Sequence, residues 1–316
     1  MKEKLSVIIP YAQEHPQIAF TVQSIFCELR DSCDFEIIVI DNHCPELQRQ
    51  LDEKHMQKDK GSEYMSGLAS ANRPWLKYVK FEKKLSHWNA KNAGIAISEG
   101  DVLWFCDSHC IVSQGTVRKM YSYYREHWQE LNGTLHLPIS YMLEQPGLEL
   151  IYKLVLDKDR AIVHYSFTRY RHATEPYQVP CMSTCGMMMH RSIYDELGGW
   201  PAEMGIYGGG GSFVTFTLAV QGRTVNIMTG LPLFHYAAPR GYYWNYNDFH
   251  RNRTIASFMY GGQEFAKTYI MNVKGKPLTL EKIYTDVVLS TREQRDFLEQ
   301  RQKISIEDWM CMQTGG

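Results

Sequence analysis

Four short apolar runs, each ending at a polar residue, constrain this chain more than any other feature. Lys4 to Pro10 (KLSVIIP), Phe35 to Ile40 (FEIIVI), Leu76 to Phe81 (LKYVKF) and Val102 to Cys106 (VLWFC) are short and rich in apolar and β-branched residues. Runs of that length and kind suit strands, the continuous ones being buried on both faces. Helical spacing fills the gaps. Pro16 to Leu29 has Ile18, Val22, Ile25, Phe26 and Leu29 on one face, Asn89 to Ile97 reads as a short helix, and Gly115 to Glu130 as a longer one. Strand alternating with helix predicts a parallel sheet in an α/β layer fold. Ligands of such sheets bind outside the carboxyl ends of the strands. The polar residues after the first, second and fourth strands are therefore the places to look.

The second half is less regular. Leu135 to Tyr141, Gly186 to His190, Thr224 to Met228 and Leu231 to His235 read as strands. Arg191 to Leu197 reads as a short helix, and Ser212 to Val220 as another with Ser212 as its N-cap. Residues 150–178 mix basic and aromatic side chains, as does Arg240 to Arg253, and the tail from Leu278 carries two charged amphipathic patterns. This divides the chain into one main domain, residues 1–265, and a helical C-terminal extension, 266–316.

Composition narrows the class. The 34 Lys and Arg offset 35 Asp and Glu, a formal net charge of −1 over 316 residues, which argues against a surface built wholly for nucleic acid. No stretch reaches the roughly 18 apolar residues of a membrane span, and MKEKLSVIIPYAQEHP does not read as a signal peptide. The eight cysteines, several inside apolar runs, read as mostly reduced thiols. The expected setting is the cytoplasm, of a bacterium or a phage-infected cell. Cys106 and Cys110 are four apart, as are Cys181 and Cys185; these either form a four-cysteine zinc site or are unrelated thiols, the tight two-residue gaps of zinc knuckles being missing.

The sharpest motif is Asp107-Ser108-His109 at the end of the fourth strand. In extended backbone, residues i and i+2 point the same way, so Asp107 and His109 are placed to grip one divalent cation. Such an ion would neutralise the phosphates of a nucleotide-linked donor. A carboxylate, an imidazole and phosphate oxygens suit manganese or magnesium. The alternative is that Asp107 caps a turn and His109 is incidental. Leu231 to His235 is another apolar run ending in histidine, so His235 is either a third ligand or a hydrogen-bonded core residue. Asp41 and Asn42 end the second strand and either pair with a base or form an Asx turn. Pro10 and Tyr11 would flank the same base, with Tyr11 stacking on it or simply packing. Gly208 to Gly211 opens a helix and allows close backbone approach to a ligand, or serves as a hinge. Trp200 offers a flat surface to a sugar, or is buried.

Assembled, these segments resemble nucleotide-sugar glycosyltransferases of the GT-A fold. LSVIIPYAQE, FEIIVIDNHCPE and NAKNAGIAISEGDVLWFCDSHC follow the order of family 2. DSHC, CGMMMHRSIYDELGGWPAEMGIYGG and LPLFHYAAPRG are similar to the catalytic domain of the polypeptide N-acetylgalactosaminyltransferases. The resemblance covers roughly residues 4–265 and implies an α/β fold with a mixed, mainly parallel sheet flanked by helices. It implies manganese (or magnesium) held by Asp107, His109 and His235, with Ser108 between two of them. It further implies uridine on Tyr11 and Asp41, beside Pro10 and Asn42, diphosphate near Lys91 and Asn92, and the donor sugar and acceptor along Trp200 to Gly209, including Gly208. Gly210-Gly211 stand where that group has Glu-Asn, and Gly205 where it has an acid. The general base is then either dispensed with, the leaving diphosphate taking the acceptor proton in a retaining reaction, or is another group such as Glu203.

The expected activity is metal-dependent transfer from a UDP-sugar to a hydroxyl of a protein, a saccharide or a hydroxymethylated base in DNA. The basic and aromatic segments favour the DNA acceptor, or form a solvated rim or a diphosphate grip. Rivals from other classes are a nucleotidyltransferase, against which PYAQEHPQ lacks a glycine-rich basic loop, and a non-catalytic nucleotide-sugar-binding protein.

Overall fold

A computed structural model describes residues 3–141, 148–236 and 242–314; Arg240, one end of the second basic segment, lies outside them. The first third alternates as expected: β1 (Leu5–Tyr11), α1 (Gln17–Leu29), β2 (Phe35–Asp41), α2 (Pro45–Glu53), α3 (Gly61–Ser70), β3 (Leu76–Lys80), α4 (His87–Ala96) and β4 (Val102–Phe105). Then come β5 (Cys110–Val112), α5 (Thr116–Leu131), β6 (Gly133–His136), β7 (Ile139–Ser140), β8 (Leu150–Asp157), β9 (Ile162–Arg169) and β10 (Tyr177–Val179). They are followed by β11 (Met187–His190), α6 (Arg191–Leu197), α7 (Gly210–Val220), β12 (Thr224–Ile227) and β13 (Leu233–His235). Helices α8 (Tyr246–Met271), α9 (Pro277–Ser290), α10 (Arg292–Glu299) and α11 (Ile306–Gln313) complete the chain.

The main sheet has the order β10-β12-β6-β11-β4-β1-β2-β3. It is mixed and largely parallel: β1 runs parallel to β2 and β4, β2 to β3, and β6 to β12, while β11 opposes β4 and β6 and β10 opposes β12. Strands buried on both faces send alternate residues to two cores. Ile8, Ile38, Ile40, Leu103 and Phe105 pack with Trp88 and Ile95 of α4 on one face. Leu5, Val7, Ile9, Ile37, Val39 and Trp104 pack with α1 and α5 on the other. A second sheet, β5-β13-β7-β8-β9, starts directly after β4, with β5 at its edge.

Three local expectations change. Ser212 lies inside α7, which starts at Gly210 with Gly209 (φ 74°) as its cap, because the glycines allow the backbone to turn earlier than a serine cap would. Residues 150–169 form the β8–β9 hairpin, with eight paired positions from Leu150↔Arg169 to Asp157↔Ile162. The tail holds three helices after α8. The boundary drawn at residue 265 falls within α8, close to its break at Gly262 (φ 77°). No helix among the described residues is long and apolar enough to cross a membrane.

Candidate metal centre and its clefts

The Asp107–His109 corner is built by three neighbours. Cys106 N–H donates to Ile8 O at 3.2 Å, carrying β4 one residue further along β1. Thr21 of α1 pins the corner: its hydroxyl donates to Ser108 O at 2.9 Å and accepts from Cys110 N–H at 2.9 Å. Then β5 pairs antiparallel with β13, His235 opposite Cys110, and Tyr236 N–H donates to His109 O at 2.9 Å. That ladder delivers His235, distant in sequence, to the corner.

One side-chain ligand atom from each of Asp107, His109 and His235 falls within 4.8 Å of the others. Nε2 of His235 stands 3.2 Å from His109 Nε2 and 3.2 Å from Asp107 Oδ2. Ligands bound at about 2.1 Å and at right angles around one cation sit about 3.0 Å apart, so the triad fits a divalent ion. Burial opposes charge on Asp107, but the hydrogen bond with His235 and the charges of Lys91, His235 and His109 hold its carboxyl well below the usual range. Lys91 is 1% exposed. Its Nζ is 3.8 Å from Asp107 Oδ1 and 5.1, 5.7 and 5.9 Å from the ring centroids of Trp88, Trp200 and Phe105. Glu14 orients the corner, one carboxylate oxygen meeting His109 Nδ1 at 3.1 Å and the other accepting from the Ser108 hydroxyl. A carboxylate on Nδ1 fixes the tautomer that turns Nε2 toward a metal.

Asp107 lies between two clefts. The first, at the ends of β1, β2 and β4, is lined by Pro10, Tyr11, Asn42, Ser108, His109 and Tyr242 among others. The second is a cavity of 370 Å³ bordered by Lys91, Tyr165, Gly208, Gly209, His235 and Arg253 among others. His87 and Asp107 face both. His87 and Lys91 lie four apart on α4 and so share a face.

Other expected residues have different occupations. Tyr11 is 2% exposed with its hydroxyl on the Asp59 carboxylate, so its ring closes the cleft wall rather than offering a free face. Asn42 lines that cleft, but its amide donates to Phe81 O and Lys84 O at 2.9 and 2.8 Å and accepts from Ser86 N–H at 2.8 Å, bracing the loop before α4. Asp41 is buried and accepts from Tyr78 hydroxyl at 2.5 Å and His43 N–H at 2.9 Å. Asn92 holds Trp200, donating to its carbonyl at 2.7 Å and accepting from its N–H at 3.0 Å. Trp200 is 3% exposed and stacks on Trp88, its ring N–H donating to Gly210 O at 3.1 Å. Glu203 borders a separate cavity with Lys84, Asp248 and Arg251. The missing acid after Gly209 has a steric counterpart. A Cβ on Gly210 would come 2.4 Å from the Trp88 indole, and one on Gly211 2.8 Å from the Tyr165 hydroxyl.

Sequence reasoning missed Glu14 and Trp88, whereas Tyr165 and the Arg253–His164 pair, which border the second cavity, come from the two basic and aromatic segments. Burial and the Arg253 charge push His164 down to about 4, leaving it neutral beside the guanidinium.

A sequence model described as "Glycosyl transferase family 2" matches residues 6–198. No curated protein matches by sequence. Among solved structures, one described as GalNAc-T7 with UDP, GalNAc and Mn2+ superposes with a TM-score of 0.73 at 16% identity, over 98% of this chain and 56% of that one. Staphylococcus aureus TarS gives 0.51 at 14% identity, over 91% of this chain and 43% of that one. TarS 1–349 with UDP-GlcNAc gives 0.51 at 13%, over 92% and 73%. This chain thus spans about half the length of the first two proteins, and these likenesses establish its GT-A-like fold.

Proposed function

Because the chain belongs to glycosyl transferase family 2, we propose that it transfers a sugar from a UDP-sugar to an acceptor hydroxyl, with a divalent cation held by Asp107, His109 and His235. The observation that carries this reading is the meeting of those three side chains between two clefts at the carboxyl edge of the sheet. Manganese or magnesium bound there would neutralise the donor diphosphate and stabilise it as a leaving group. Glu14 keeps His109 Nε2 facing the ion. Pro10, Tyr11, Asn42 and Ser108 wall the nucleotide side. Lys91, already buried and cationic, adds positive charge where the diphosphate departs, and Gly208 and Gly209 let the donor sugar approach the backbone.

Among the described residues, Asp107 is the one carboxylate lining the 370 Å³ cavity. Glu203 borders another cavity. That favours the retaining course, with the departing diphosphate accepting the acceptor proton, over Glu203 as base. The acceptor reading favoured second is a hydroxylated base in DNA. The β8–β9 hairpin turns Tyr152, Tyr165 and Phe167 toward the cavity and carries exposed Lys153, Lys158, Arg160 and Arg169. Salt-sensitive DNA binding checks it; binding that is absent at low salt removes DNA in favour of a protein or saccharide.

The direct test is release of UDP from a panel of UDP-sugars with Mn2+ or with EDTA. The proposal expects metal-dependent release that falls at least about 100-fold in Asp107→Asn, on the scale of losing one electrostatic transition-state contact. Release indifferent to both EDTA and the substitution contradicts it.

A further inference from the structure

Beside His235 lies a second group of ligand atoms. Cys110 opens β5 opposite His235, and Cys185 precedes β11. Their sulfurs are 3.5 Å apart, and the residues are 1% and 3% exposed. One ligand atom each of Cys110, Cys185 and His235 falls within 4.8 Å of the others. Cys106, fully buried, turns instead to Asp107, its Sγ 3.5 Å from the Asp107 carbonyl oxygen. Of the four cysteines whose spacing hinted at zinc, only Cys110 and Cys185 are in this group, and an imidazole joins them in place of Cys106 and Cys181.

The chemistry of the two groups differs. Asp107, His109 and His235 offer oxygen and nitrogen, suited to Mn2+ or Mg2+; two sulfurs and an imidazole are a soft set suited to Zn2+ or Cd2+. Two sulfurs on one tetrahedral zinc, each bonded at about 2.3 Å, lie about 3.8 Å apart, so the pair needs to open only slightly.

We propose that Cys110, Cys185 and His235 form a soft-metal site that takes Zn2+, sharing His235 with the hard-metal triad, so that zinc antagonises manganese. Binding displaces the two thiol protons to solvent and forms two metal–sulfur bonds and one metal–nitrogen bond, with no change of oxidation state. Access runs through the Asp107 clefts, since His235 borders the larger one. The thiolate site stands independently of the proposed activity, while its antagonism of manganese rests on that reading of the Asp107 triad.

The test titrates Cd2+, then Zn2+ in competition, into the reduced full-length chain and follows thiolate-to-metal charge-transfer absorbance. The proposal expects one equivalent to saturate the band, the band to vanish in Cys110→Ser and in Cys185→Ser, and the band to persist in Asp107→Asn. Mn2+ affinity, read by electron spin resonance, should match the parent in Cys185→Ser, which also shows that the variant is folded. One equivalent of Cd2+, held at the thiolates as the band reports, should weaken Mn2+ binding at least about fivefold in the parent, the low end of ordinary site-to-site coupling. No charge-transfer band, or a band that survives both serine variants, overturns the site. Cd2+ bound at the thiolates without effect on manganese overturns the sharing of His235.

Discussion

At the scale of single residues, the centre depends on groups that orient rather than bind. Glu14 touches His109 and Ser108 at once, and its position four residues past Pro10 gives no sequence signal of that role. Replacing it with alanine frees the His109 ring. Mn2+ affinity is expected to fall about 10- to 100-fold, as when other carboxylates behind metal-bound histidines are lost. Calorimetric titration of Glu14→Ala with Mn2+ checks this, and unaltered affinity would make Glu14 a bystander. The neighbours Asp41, Asn42 and Asn92 show why residue type alone misleads. Each is polar and close to the ends of the strands or the site, yet each is already engaged with the chain itself. Local sequence offers their chemistry, while most of the partners, such as Tyr78, Ser86 and Trp200, come from further along the chain.

At the scale of elements, strands buried on both faces were readable because FEIIVI and VLWFC are too short for a helix, rich in β-branched and aromatic residues, and bounded by polar turns. The Asp-Ser-His corner was readable for the same reason, since a polar triplet ending such a strand has to leave the sheet at its edge. His235 could be named from the apolar run before it. The β8–β9 hairpin could not, because its half-exposed strands carry Lys153, His164 and Arg169 and look like a basic segment. Helix α8 begins YNDFHRNR, whose polar face hides its buried His250, Asn252 and Thr254.

Strand β6 also carries a pH-sensitive element. His136 is 1% exposed, with Nδ1 2.8 Å from Ser183 O and Nε2 2.8 Å from Thr134 Oγ1. Burial lowers it from 6.5 to about 3. A histidine depressed in the folded state binds fewer protons there than in the unfolded chain, so its share of stability is present above about 6.5 and is lost as pH falls toward 3. The urea midpoint of the parent is therefore expected to drop across that window more steeply than that of His136→Gln. Parallel curves would contradict the assignment.

At the scale of the whole molecule, the C-terminal helices complete a core rather than append to one. Ile283, Leu298, Trp309 and Met310 join the cluster that holds Phe213 and Phe216 of α7 and Leu103 of β4. Trp309 is 7% exposed, its ring 5.6 Å from that of Phe216. We propose that residues 266–316 unfold with the rest. Trp309→Ala is expected to lower one shared transition by about 3–5 kcal/mol. A separate early transition, leaving the main one in place, would mark an independent unit.

The same core holds α4 and α7 on one face of the sheet, so that Lys91 and the Gly208–Gly209 turn close on the cavity beside Asp107. The most direct measurement is anomalous diffraction at the manganese edge from a crystal soaked in Mn2+ and UDP. The account predicts a peak within about 2.0–2.3 Å of Asp107, His109 and His235 together, with the diphosphate completing the shell. A peak that omits His235, or no peak between the two clefts, would contradict it.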